Sequence, residues 1–150
     1  MDSLLSAPAF PAYAASVSVL VITLYGLAFH TAVSRAMRKV TLNAEDVTVA
    51  PGSAVVEFEH AAVQRIKRAH QNLLENAAPF FIVGLLYCLT SPTLAFAYGL
   101  FAVFVGVRVL HAVFYLSAIQ PFRTASFAIG ALVNLVMVVQ VLRFVIPMMG

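Results

Sequence analysis

At 150 residues the chain has the length of one domain. Hydrophobic residues make up 62% of it and charged residues 10%, against roughly 25% charged in soluble domains, which excludes an ordinary soluble fold and marks an integral membrane protein. The net charge of +3 comes from basic residues gathered at the edges of apolar stretches. The partner they imply is therefore membrane lipid and not nucleic acid.

The start, MDSLLSAPAF, lacks the positive region of a cleavable signal, and the apolar run behind it is too long for one, so a retained first span is expected. No Asp, Glu, Lys or Arg occurs from Ser3 to Ser34. Pro8 and Pro11 break the start of this run and Arg35, Arg38 and Lys39 close it, which predicts a helix over about residues 11–37. His30, near that end, is expected to face neighbours or headgroups. The stretch of about 38–61 is polar, carries Glu45, Asp46, Glu57 and Glu59, and turns at Pro51-Gly52. It reads as one long surface loop.

A second span is expected over about residues 62–89, with Pro79 inside it, and a third over about 94–119. The short Thr90-Ser91-Pro92-Thr93 turn between them forces antiparallel neighbours. Gln120-Pro121 then opens a fourth span of about 122–146. The single cysteine, Cys88, rules out an intrachain disulfide and a cysteine metal cluster; packing is its expected role, and no metal site is expected. The fold class is all-α, a single four-helix transmembrane domain.

Two stripes of chemistry interrupt the apolar spans. Arg68, Asn72 and Glu75 fall within about 60° of one another on a helix. The second span needs roughly 20 residues, which places Asn72 and Glu75 at membrane depth, where a charge costs about 2.5–3.5 kcal/mol and needs partners. Leu73, Leu74, Ala77 and Ala78 occupy the other faces, toward lipid. On the third span Arg108, His111 and Tyr115 share a face of about 60°. A plain ion pair between Arg108 and Glu75 would pin the two helices together. The additional polar groups tilt the reading toward a shared ligand pocket within the bundle. Arg123 and Thr124 lie in the first turn of the fourth span, where a cation opposes the helix dipole unless an anion accepts both.

Basic residues Arg35, Arg38, Lys39, Arg65, Lys67, Arg68 and Arg123 belong to one side, which is expected to be cytoplasmic, as is the site's opening. Several arginines with one carboxylate, an amide, an imidazole and a phenol suit a small zwitterion with more acid than amine. The arginine excess favours lowering the pKa of a ligand thiol or acid. No hydrolytic triad or phosphate-cradling glycine loop is present.

The run Arg65-Ile66-Lys67-Arg68-Ala69-His70-Gln71-Asn72-Leu73-Leu74-Glu75-Asn76, followed by Pro79-Phe80, resembles the pattern E-R-x-x-R-A-H-x-N-x-x-E-x-x-x-P-F. That pattern belongs to the membrane-associated proteins in eicosanoid and glutathione metabolism. The resemblance continues through Asn43-Ala44-Glu45-Asp46, Arg108-Val109-Leu110-His111 with Tyr115, and Pro121-Phe122-Arg123, covering nearly the whole chain in order. It implies a homotrimer that binds glutathione between neighbouring subunits. Arg68, Gln71, Asn72, Glu75, Arg108, His111, Tyr115 and Phe127 would serve that site, with Arg35 contributed by an adjacent protomer. Arg123 matches the arginine held to stabilise the glutathione thiolate, with Thr124 beside it.

Where the isomerase branch of that family has Ser and Tyr, this chain has Thr124 and Phe127. Its Arg123-x-x-Ser126-Phe127 run and Gly130 look more like the transferase branch. The activity implied is a membrane-bound glutathione transferase, with peroxidase activity as a companion, for hydrophobic electrophiles from the bilayer. The alternatives are a glutathione-dependent prostaglandin-endoperoxide isomerase and a non-catalytic membrane protein with structural intramembrane ion pairs. The implied membrane is the inner membrane in a bacterium or the endoplasmic reticulum in a eukaryote.

Overall fold

The computed structural model describes residues 6–150. It consists of four long helices: α1 (Phe10–Arg38), α2 (Ala61–Leu89), α3 (Leu94–Leu116) and α4 (Gln120–Val145). All four are long and apolar enough to cross a membrane. Even the shortest, α3 with 23 residues, is about 34 Å long at 1.5 Å per residue, against a hydrocarbon core of roughly 30 Å.

The helix ends follow local chemistry. Pro11 sits in the first turn of α1, where its missing N–H costs nothing, and Arg35 and Arg38 in the last turn complement the dipole. Lys39 then takes a left-handed conformation, φ 52°, and its N–H bonds back to the carbonyl of Ala36. At the start of α2 the His60 ring accepts from the N–H of Ala62 at 3.2 Å. α2 runs unbroken through Pro79.

α3 ends at Leu116, three residues before its expected limit of 119. Ala118 turns to φ 62°, the N–H of Ser117 bonds to Val113 and that of Ile119 to Phe114, which closes the helix without a glycine. α4 accordingly starts at Gln120, with Pro121 in its first turn.

The connection between α1 and α2 holds more than the surface loop expected of it. Two-residue strands β1 (Val40–Thr41) and β2 (Ala54–Val55) pair in parallel, Val40 opposite Ala54 and Thr41 opposite Val55, with a 3-10 turn at Ala44–Thr48 between them.

Within the bundle α1 packs chiefly on α2, and α3 on α4. Phe80 and Phe104 stack at 4.3 Å between centroids and 3° between planes, and Phe101 meets Phe80 edge-on at 5.8 Å. Tyr13 joins them and donates its hydroxyl to the carbonyl of Phe81 at 2.5 Å. Gly84 makes room for that tyrosine, since a Cβ there would lie 2.9 Å from the ring. Cys88 is fully buried in the same core, in the packing role expected of it.

Candidate functional site

The C-terminal half of α3 and the first turns of α4 converge with the middle of α2 at one end of the bundle. Asn72, His111, Tyr115, Arg123, Thr124 and Phe127 line a groove of about 230 Å³ there. The i, i+4 spacing of His111 and Tyr115 puts both rings on one side of α3, 5.8 Å apart, and the tight turn at 117–119 brings α4 back against them. The guanidinium of Arg123 lies 4.7 Å from the centroid of the Tyr115 ring, where the π-face attracts it and holds its plane.

His111 is 4% exposed. Its Nδ1 lies 2.9 Å from the Arg123 carbonyl. A carbonyl only accepts, so Nδ1 carries the proton and Nε2 is left as an acceptor. Ser126 donates to the carbonyls of Phe122 and Arg123, at 2.7 and 3.1 Å, and so ties down the same turn. Nε2 of His111 and Oδ1 of Asn72 are buried with no protein partner among the described residues. Two acceptors thus await N–H or O–H donors, which suits an amide- or ammonium-bearing ligand.

Arg108 is 1% exposed and does not line this groove. Its Nη2 donates to the Phe127 carbonyl at 2.9 Å, and its guanidinium carbon is 5.5 Å from the centroids of both Phe104 and Phe127. The ion pair with Glu75 weighed from sequence is not formed: Glu75 is exposed and accepts from Gln71 at 2.9 Å. Both stripes are real helix faces, but they point in different directions. Gly130 supplies the space for Arg108, because a Cβ there would run into its Nη2, Nε and Cζ.

The polar stripe of α2 is likewise not enclosed by the bundle. Arg68, Gln71 and Glu75 are exposed along one ridge, with Asn72 on the groove side, while Leu73 and Ala77, expected to meet lipid, are core residues at 2% and 0% exposure. Arg68 has Gln64 as a neighbour at 3.4 Å.

Arg35 stands apart from the groove and pairs with Glu59 at 2.5 Å, and Lys67 meets the same carboxylate at 2.8 Å. Burial opposes ionisation of Glu59, yet the hydrogen bonds from Arg35 and Lys67 outweigh it and hold its carboxyl below the usual range. This clasp ties the end of α1, the loop and the start of α2 together. In sequence Glu59 reads as part of the surface loop, because an acid eight residues before a lysine carries no local signal of the clasp. Among the described residues no group of three or more metal-binding side chains comes together.

Four membrane-length helices define a polytopic membrane protein, with a basic, aromatic-walled groove at one end of the bundle. Residues 13–143 match the model of the MAPEG family. The chain is 37% identical over 139 residues to microsomal glutathione S-transferase 1 of Rattus norvegicus, covering 90% of this chain and 88% of that protein. It is 36% identical over 138 residues to the Homo sapiens protein of the same name, with 89% of each covered. To prostaglandin E synthase of Homo sapiens it is 32% identical over 139 residues, 92% of this chain and 91% of the relative. The chain belongs to the MAPEG family.

Proposed function

We propose that the protein is a membrane-bound glutathione transferase that conjugates glutathione to hydrophobic electrophiles partitioned into the bilayer. The observation that carries this reading is Arg123: its guanidinium is braced on Tyr115, has no acidic partner among the described residues, and shares the groove with Thr124. A free thiol has a pKa near 8.5, and a drop of two units stabilises the thiolate by about 2.7 kcal/mol. Arg123, with a hydrogen bond from Thr124, supplies such stabilisation. The thiol proton leaves to water, the sulfur forms a bond to the electrophilic carbon, and the leaving group departs with its electron pair. With a lipid hydroperoxide as electrophile, two glutathiones become the disulfide and the hydroperoxide becomes alcohol and water, which is the companion peroxidase activity.

The free acceptors Asn72 Oδ1 and His111 Nε2 suit the amide and ammonium donors of the tripeptide. Arg68, Gln71 and Glu75 flank the groove as an exposed ridge, with Glu75 at the membrane depth that the length of its span implies. In our reading a second protomer covers that ridge within a homotrimer and brings its own Arg35 to the ligand carboxylates. Arg108 braces the groove from behind through the Phe127 carbonyl. The groove opens to the cytoplasm, in line with the seven basic residues at that end between Arg35 and Arg123. Phe127 presents no hydroxyl to the groove, which favours conjugation over hydroxyl-assisted isomerisation of an endoperoxide.

The test is conjugation of glutathione to a chloronitrobenzene by purified protein in detergent. Turnover that falls about 10²–10³-fold in Arg123→Ala, as for loss of one transition-state donor, with glutathione binding largely retained, is the expected result. Binding without turnover in the native protein would favour the isomerase. Absence of binding would leave a structural membrane protein.

A further inference from the structure

The opposite end of the bundle carries a second polar feature that the groove chemistry does not use. Tyr87, Thr90, Ser91, Thr93, Gln140 and Arg143 line a basin of about 440 Å³ between the α2–α3 turn and the last turn of α4. Along α4 a shallow groove of about 300 Å³, walled by Leu132, Leu135, Val136 and Val139, shares Gln140 and Arg143 with it. The two meet at those shared side chains, one polar at the bundle's end and the other apolar below.

Three observations define what fits the polar part. Arg143 is exposed, is the single charged side chain among the described residues of this end, and has no hydrogen-bond or ion-pair partner among them. The first turn of α3 borders the basin through Thr93 and Phe96, and Thr93 makes no side-chain cap, so the first N–H groups of the helix remain free. The hydroxyls of Ser91 and Thr93 complete the lining, that of Thr90 donating instead to the Tyr87 carbonyl at 2.8 Å, and no carboxylate belongs to it. A cation, uncapped helix N–H groups and hydroxyls together suit a phosphate.

The apolar part sets the rest of the ligand. From Leu132 to Arg143 the helix rises roughly 16 Å, about the acyl depth of one leaflet in a hydrocarbon core of roughly 30 Å. Leu132 and Leu135 are 60% and 57% exposed, a face open to a chain lying along the helix.

We propose that the two together form a binding site for an anionic phospholipid, its phosphate held by Arg143 and the start of α3 and one acyl chain lying along Leu132, Leu135, Val136 and Val139. The site is separate from the candidate glutathione groove and does not depend on that assignment.

Native mass spectrometry of the protein in mild detergent with added phosphatidylglycerol tests it. Retained phosphatidylglycerol is expected, falling at least about tenfold in Arg143→Gln, the loss of one charge-assisted contact. Val136→Trp fills the apolar groove while leaving Arg143 in place, and the same fall is expected. Both variants are checked for assembly and for unchanged conjugation to the chloronitrobenzene, so a folding defect is separable. Undiminished retention in the well-folded variants would overturn the proposal, as would displacement of the lipid by millimolar glycerol phosphate, which would mark a soluble-anion site. Disulfide cross-linking of Val139→Cys between protomers in a bilayer would also overturn it, because a second copy would then cover the groove.

Discussion

The two halves of the bundle solve opposite problems with the same helices. In one half Tyr13, Phe80, Phe101 and Phe104 interlock, and the Tyr13 hydroxyl there finds a carbonyl. Toward the groove end and at mid-bundle lie all five buried side-chain atoms without a protein partner among the described residues: Asn72 Oδ1, Arg108 Nε and Nη1, His111 Nε2 and Asn134 Oδ1. Phe104 belongs to both, stacked on Phe80 and near the Arg108 guanidinium. The interlocked rings need no polar partner, whereas the polar half holds groups whose partners are not in the protomer.

Emptying the aromatic half should have the largest effect. Phe80→Ala should cost about 3–5 kcal/mol, as for other large aromatic truncations in cores, seen as a lowered thermal unfolding midpoint in detergent. Conjugating activity per folded molecule should change far less. Gly130→Ala tests the polar half. The new Cβ meets the Arg108 guanidinium, overpacking costs about 1–3 kcal/mol, and the displaced arginine should also disturb Phe127, so stability and turnover should fall together.

Glu59→Gln sharpens the picture at the edge of the membrane. It should cost about 1 kcal/mol at neutral pH, kept modest because Arg35 and Lys67 are partly screened by water. A carboxyl held below its ordinary value stabilises the fold above that ordinary value, near pH 4.3, and the contribution is lost as pH falls through the folded-state value. The difference between wild type and Glu59→Gln should therefore close in acid, measured as unfolding midpoints across pH. The smallest change is Tyr115→Leu, which removes a cation–π contact worth about 0.5–1 kcal/mol. It should barely shift unfolding but raise the KM for glutathione by loosening Arg123.

Much of this was legible before the structure. The four spans end within three residues of their expected limits, because proline starts, basic ends and the Thr90–Thr93 turn are local signals. His111, Tyr115, Arg123, Thr124, Asn72 and Phe127 do line one groove. The direction each stripe faces was not legible. In a chain whose spans are apolar all round, helical period shows that Arg68, Asn72 and Glu75 share a face but not whether that face turns inward. The same limit produced the Arg108–Glu75 pair, and it hid the contact of Gly130 with Arg108. The Glu59 clasp and the β1–β2 pairing depend on long-range closure of the loop, which leaves no periodic trace. The end of α3 was misplaced because alanine, not glycine, adopts the left-handed turn at 118.

The exposed ridge of Arg68, Gln71 and Glu75 has a consequence for the life of the chain before any substrate arrives. A single intramembrane charge facing hydrocarbon costs about 2.5–3.5 kcal/mol, comparable to a large share of a domain's whole stability. If sister copies cover the ridge in a trimer, a newly inserted solitary subunit is poorly suited to the bilayer and becomes so only on meeting its sisters. Its persistence then scales with how much of it the cell makes, and surplus single copies display to membrane quality control the very side chains that an assembled trimer would hide.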